Sequence, residues 1–419
     1  MKRSTAEVHL GQAPLTEETG TQPSGSRYRW VMLALVWLLY TAFGVVSRSL
    51  APLITPVLRD LNISYSQMGL IIGSWPLTYI VVAAMGGTLI DRWGIRKSLF
   101  LGIVIIGLSE VLRYFASGFI TMFLFVALFG LGGPMISVGC PKTIAEWFKG
   151  KERATAVGIY TTGPRIGGLI ALSTANSVVM PLTGYSWRLT FVLYGLLAFA
   201  AASMWWFLAR DTRPTGVKES SSIMKVFRGL IGLRNVQLVL TMGFLSFSVT
   251  HGFGDWLPRI LEVGGLPPAV AGYAASIPIA VGVPAVLLVP RLVTPRARGR
   301  IAALLALAMA VSVLIAATTS GALLVLGLVL WGLSSTCITP LLMLILMDIP
   351  QVGTRYMGSA GGMYFSVAEI GGFAGPFMIG VASDLTGGFL TGTVMAAGLA
   401  LAVAAMALQL RPGPPEARG

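Results

Sequence analysis

The feature that most constrains this chain is a series of twelve apolar runs filling almost everything between Trp30 and Leu410. They fall at about 30–52, 66–90, 98–116, 119–148, 155–180, 187–209, 235–260, 269–290, 301–318, 321–348, 357–383 and 388–410. Each is close to the ~20 residues that a hydrocarbon core of about 30 Å asks of a helix. A soluble protein of 419 residues would interleave charged faces with buried ones, whereas here 55% of residues are hydrophobic and 11% charged. The chain reads as an all-α integral membrane protein with twelve transmembrane helices and the lipid bilayer as its solvent.

A net charge of +14 suggests a nucleic-acid partner until the positions of the charges are considered. With the N-terminus placed in the cytoplasm, the cytoplasmic segments hold 23 Lys and Arg, against 4 (Arg59, Arg113, Arg188 and Arg259) on the other side. That asymmetry follows the positive-inside rule and places both termini in the cytoplasm. No nucleic-acid partner is expected. Residues 1–26 lack an apolar core of the signal-peptide kind and read as a disordered cytoplasmic tail, in which His9 carries no argument. Cys140 and Cys337 fall inside spans and read as free buried thiols.

The longest interior polar stretch, Ala209 to Asn235, divides the spans six and six. The expected organisation is a bundle over 27–209, a cytoplasmic loop over 210–234, a second bundle over 235–410 and a short cytoplasmic tail over 411–419. Internal duplication is supported by weak self-similarity in matching order. "GPRIGGLIA" in the fifth span has a counterpart in "GPFMIGVAS" of the eleventh. "DRWGIRK" after the second span has a degenerate one in "PRLVTPRARGR" after the eighth. Glycines within spans suit close helix packing, and prolines within spans mark kinks that neighbours can accommodate.

The loop "GGTLIDRWGIRKS", Gly86 to Ser98, carries Gly-x-x-x-Asp-Arg-x-Gly-x-Arg-Lys between spans two and three. This resembles the loop signature of the major facilitator superfamily. Together with the six-plus-six division, the resemblance covers residues 28–410. It implies two pseudo-symmetric six-helix bundles around a central cavity that opens alternately to the two sides. Gly87, Asp91, Arg92, Gly94, Arg96 and Lys97 would then form a conformational latch. "CPKTIAEWFKGKERATAVGIYTTG" is similar to the fourth-to-fifth-span region of organic-anion, cyanate- and nitrate-type members. "SRSLAPLITPVLRDLNISYSQMG" resembles the first span of the anion:cation symporter branch, where an arginine binds a substrate carboxylate; Arg48 stands there. That branch often has an acidic residue before the arginine and a glutamate in the fourth span. This chain has Ser47 and Gly133, so its proton-coupling arrangement does not transfer. "GPRIGG" resembles the antiporter signature of drug exporters, which usually place a small residue where Arg165 stands.

Arg165 lies about ten residues into its span, roughly 15 Å along the axis and near the midplane. Facing lipid there costs an arginine from about 2.5 to over 10 kcal/mol, so it must face a cavity or a partner. Both readings are open: an ion pair with Glu369 or Asp255, or direct contact with an anionic substrate, to which guanidinium presents a planar fork. Tyr40, Gly44 and Arg48 share one face of the first span. Two cavity arginines favour a small organic anion, a mono- or dicarboxylate. Tyr40, Tyr160, Trp75, Tyr79 and Tyr364 are candidates for its walls. Glu369, Asp255 and His251 are candidates for proton coupling, with structural pairing as the alternative role. Lys142 and Glu146, four apart near the cytoplasmic end of the fourth span, are candidates for a gate pair.

No nucleotide-binding loop and no metal-ligand cluster is visible, so no cofactor or metal is expected and an ion or solute gradient must supply the energy. The expected protein is a monomeric, proton-coupled secondary transporter of a small organic anion in a bacterial or archaeal cytoplasmic membrane. A proton-driven exporter of amphiphiles and a transporter-like receptor are the alternatives. An enzyme is not expected, because no nucleophile–base constellation appears.

Overall fold

The structure, a computed structural model, describes residues 27–211 and 229–410. The expected tails (1–26 and 411–419) and most of the central loop lie outside the described residues. So do the side chains of residues 84–89, 91, 290–291, 353–356 and 358 within their helices.

Among the described residues, twelve helices are long and apolar enough to cross a membrane: Tyr28–Leu61, Tyr65–Ala83, Ile95–Phe115, Phe119–Trp147, Gly150–Leu182, Trp187–Leu208, Arg234–Val263, Pro268–Val289, Pro295–Thr318, Gly321–Met347, Ser359–Thr386 and Leu390–Ala407. They are called spans 1 to 12 below. Their order and approximate limits are those read from the sequence, because each apolar run is broken only by the polar residues of a short turn. The second span shows the local logic. Ser64 caps it, accepting from the Gln67 amide while the Gln67 side chain accepts from the Ser64 amide, which satisfies donors that the first turn leaves open.

Twelve crossings put the start of span 1 and the end of span 12 at the same end of the molecule, the terminal end; the other is the distal end. At the terminal end the buried apolar side chains form two separate clusters. One is drawn from spans 1 to 6, around Leu39, Phe129, Ile144 and Trp205. The other is drawn from spans 7 to 12, around Val239, Leu342, Tyr364 and Val403. At the distal end there is one cluster, in which Val57, Met68 and Leu172 of the first bundle join Phe253, Trp256 and Ile379 of the second. The two bundles are therefore fused distally and parted terminally.

Bare backbone allows the close crossings. A Cβ on Gly167 of span 5 would lie 2.1 Å from the Thr41 carbonyl of span 1. One on Gly69 of span 2 would lie 2.5 Å from the Pro376 carbonyl of span 11, across the bundle interface. Span 1 loses α geometry after Arg48, passing through a 3-10 turn at Ala51–Leu53 before resuming at Ile54–Leu61. Span 5 carries a π-helical segment at Ala175–Val179. Both irregularities lie in spans that border the cavity, as expected where the extra backbone freedom is used.

Candidate functional site: a charged central cavity

Between the bundles lies a cavity of about 530 Å³. Spans 1, 2 and 5 wall it on one side and spans 7, 8 and 10 on the other. Polar ties seal its distal end. The Asp384 carboxylate at the end of span 11 accepts from the Tyr65 amide at 3.0 Å, from the Ser66 amide at 2.7 Å and from the Ser66 hydroxyl. It therefore caps span 2 from the opposite bundle. Arg259 of span 7 donates to Tyr65 Oη at 2.9 Å and to Thr55 Oγ1 at 3.0 Å. Thr55 in turn donates to Glu262. Asn176, in the π-helical segment, donates to the Pro52 carbonyl at 2.8 Å and to that of Pro268 at 3.4 Å.

Arg48 and Arg165 both line the cavity, but their surroundings differ. Arg48 Nη1 is paired with Asp255 of span 7, so this ion pair crosses the bundle interface at mid-depth. The arginine side chain keeps 33% exposure and its partner 9%. Of the two roles open to Arg165, an ion pair with Glu369 or Asp255 is not formed. Among the described residues no carboxylate lies within 4.0 Å of it. Its position follows from Pro164 and the glycines around it. Gly163 and Gly167 let span 5 lie against span 1, which leaves the intervening arginine the cavity side.

The aromatic candidates separate. Tyr40 and Tyr160 line the cavity and stack at 6.0 Å between centroids, and Trp75 lines it edge-on to Phe129 at 5.4 Å. Tyr79 and Tyr364 are not on its wall. Tyr79 hydrogen-bonds Ser137 at 2.7 Å and packs beside Gly133, between spans 2 and 4. Tyr364 is fully buried against Gly243 and Phe247 within the second bundle, where it fills the space a glycine leaves.

His251 and Asp255 line the cavity one helical turn apart, with Nδ1 3.6 Å from Oδ2. Glu369 of span 11 sits behind them at 7% exposure, and its Oε2 has no hydrogen-bond partner. It is close to the histidine, since a Cβ on Gly372 would meet both Glu369 Oε2 and the His251 ring. The three coupling candidates thus form one continuous set, joined to Arg48 through Asp255. Lys142 and Glu146 are half-buried near the terminal end of span 4. Of the latch residues, Arg96 is tied within its own bundle. It donates to the Trp206 carbonyl at 2.5 Å, its amide donates to Asp211 at 3.1 Å, and its guanidinium lies over the Trp206 ring. Gly94 takes a positive φ of 82°, the conformation that favours glycine. Arg92 and Lys97 are exposed. The side chain of Asp91 and the surroundings of Gly87 lie outside the described residues.

Three features escaped the sequence reading. Ser335, Thr336 and Thr339 of span 10 put hydroxyls on the wall opposite Arg165, and "SSTCITP" in an otherwise apolar span was the available signal. Glu110, fully buried in span 3, was not singled out at all. Arg113, counted with the distal loops, is 2% exposed and pairs with Glu110 at 2.6 Å. Only Arg59, Arg188 and Arg259 remain as distal cations of that group, which sharpens the charge asymmetry.

Twelve spans, parted at one end around a charged cavity and sealed at the other, define a multi-pass membrane transporter rather than an enzyme. The sequence profile of the Major Facilitator Superfamily matches residues 36–376, and the chain belongs to that family. It is 26% identical over 396 residues to a hexuronate transporter of Bacillus subtilis (strain 168), covering 88% of this chain and 92% of that one. A hexuronate transporter of Escherichia coli (strain K12) is 33% identical over 185 residues, or 42% of this chain and 40% of the relative. Among solved structures, a bacterial homologue of the human lysosomal transporter Spinster, inward-facing and occupied, superposes with a TM-score of 0.72 at 18% identity. It covers 93% of this chain and 97% of that one.

Proposed function

We propose that the protein imports a monocarboxylate sugar acid of the hexuronate type together with protons, across a bacterial cytoplasmic membrane. The observation that carries this reading is Arg165, a cavity cation with no carboxylate at ion-pair distance among the described residues, in a cavity that Ser335, Thr336 and Thr339 of span 10 also line. A guanidinium binds one carboxylate in a bidentate fork. Hydroxyls on the opposite wall suit a polyol body, and the stacked Tyr40 and Tyr160 offer an apolar face for a sugar ring. The other arginine already has a counter-ion, which favours one negative charge on the substrate over two. Two relatives named as hexuronate transporters support the same class.

Proton coupling rests on Asp255, His251 and Glu369. Once an anion competes for Arg48, the released Asp255 lies next to the histidine, and Glu369 is behind it with a free oxygen. By the positive-inside rule the terminal end is cytoplasmic, both termini lie there, and the described conformation faces inward. The protein works as a monomer, one cavity per chain.

The test is uptake of labelled glucuronate and galacturonate into proteoliposomes under an imposed pH gradient, acidic outside. Accumulation should occur, collapse with a protonophore, and be competed by other uronates but little by dicarboxylates. Binding without counterflow would favour a receptor. Transport of cationic amphiphiles in place of uronates would favour an exporter and overturn the reading.

A further inference from the structure

The buried pair in span 3 has no part in the transport scheme above, yet it borders it. Arg113 sits two residues from the distal end of its span, and a helical side chain leans towards the N-terminus of its helix. Its guanidinium therefore points back into the bundle. Nη1 meets Glu110 Oε2 at 2.6 Å and donates to Ser49 Oγ at 3.1 Å, and the group lies over the Phe191 ring at 5.2 Å. Ser49 directly follows Arg48, where span 1 leaves α geometry. Arg113 thus holds the side chain of the residue that follows the cavity arginine.

A void separates this group from the opposite bundle. A small cavity of about 20 Å³ is bordered by Ser47, Trp75 and Arg113 of the first bundle and by Asp255 of the second. The rest of its wall is apolar (Val46, Leu50, Ala51, Ile72, Val126 and Phe129), and its volume is room for one water between Arg113 and Asp255. The groups around Asp255 can be named by element. Span 1 offers Arg48 and span 2 the Trp75 ring. Its own helix offers His251, span 11 offers Glu369 beyond the histidine, and span 3 offers Arg113 across the small cavity. Of the two cations in this set, Arg48 faces the large cavity and Arg113 does not line it.

We infer that Arg113 is a positioning residue for transport: it gives Asp255 a second cationic partner, through one ordered water, when a substrate carboxylate takes Arg48. Glu110 keeps Arg113 in place and balances its charge while Asp255 is engaged elsewhere. The inference rests on the reading that the substrate is an anion competing for Arg48. Without Arg113, an Asp255 released from Arg48 would be a buried carboxylate facing no arginine. It would then hold Arg48 against the substrate.

The experiment measures glucuronate counterflow by the wild type, the charge-neutral double variant Glu110→Gln/Arg113→Gln, and Arg113→Lys. For the double variant, KM should rise about tenfold and kcat stay within about twofold. Arg113→Lys should restore most of the affinity. In an Asp255→Asn background the double variant should raise KM no further. If the double variant does not fold, Val126→Leu narrows the small cavity from span 4, clear of the large one, and should produce the same rise in KM. A KM that stays at the wild-type value in the variant that folds, a rise undiminished in the Asp255→Asn background, or a loss confined to kcat overturns the inference and leaves a merely structural pair. A wild type that moves no carboxylate sinks the functional reading itself, and this inference with it.

Discussion

Two arginines in one cavity have different surroundings, one with a counter-ion and the other without one among the described residues. Arg165→Ala should abolish uronate uptake, by about 100-fold or more in kcat/KM, since it removes the only cavity cation not already held by a carboxylate among the described residues. Arg165→Lys should recover little of it, because a point charge does not reproduce a bidentate fork. Glu369→Gln separates binding from coupling. Counterflow, which needs no net proton movement, should persist, whereas accumulation driven by a pH gradient should disappear. Equal loss of both would place Glu369 in packing alone. The depth of these residues was legible from span length, and so was the shared face of His251 and Asp255. Their partners were not. Arg48 and Asp255 are 207 residues apart and meet only because two bundles close on each other.

The spans themselves were almost wholly legible. An apolar run must hydrogen-bond its own backbone inside a membrane, so hydropathy fixes helix and length together. What hydropathy does not carry is which face of a span meets a neighbour. Tyr364 illustrates the limit. It stands in the span of Glu369, five residues before it, yet it fills the space beside Gly243 in the second bundle's core. Arg113 is a second case, because a residue near the end of a span can point outward to solvent or backward into protein. Glycine contacts yield a prediction at this scale. Gly167→Val would drive a side chain into the Thr41 carbonyl, 2.1 Å from where its Cβ would stand. The variant should lose about 2 kcal/mol or more of stability, read as a lower melting temperature in detergent, since span 1 cannot retreat without moving Arg48.

For the whole molecule, polar ties and a fused apolar core together close the distal end of the cavity. Asp384 is the most economical place to weaken them, because one carboxylate receives three donors from the opposite bundle. It also meets the positive end of span 2, an interaction that needs the bundles closed. Asp384→Ala should shift the population towards distal opening, seen as longer inter-bundle distances between spin labels on the distal loops. Unchanged distances would mean that the fused apolar core alone holds that end shut. For a cavity that opens alternately to the two sides, as proposed above, such a seal has to be strong enough to hold and weak enough to release.

The two cysteines have a practical consequence. Cys140 and Cys337 are both 0% exposed and unpaired. A thiol without solvent contact is a poor target for maleimides, so the native chain should stay unlabelled until it is denatured. Reporter thiols can then be introduced one at a time at either mouth of the cavity with both native sulfurs left in place, sparing the helix packing that a cysteine-free background would disturb.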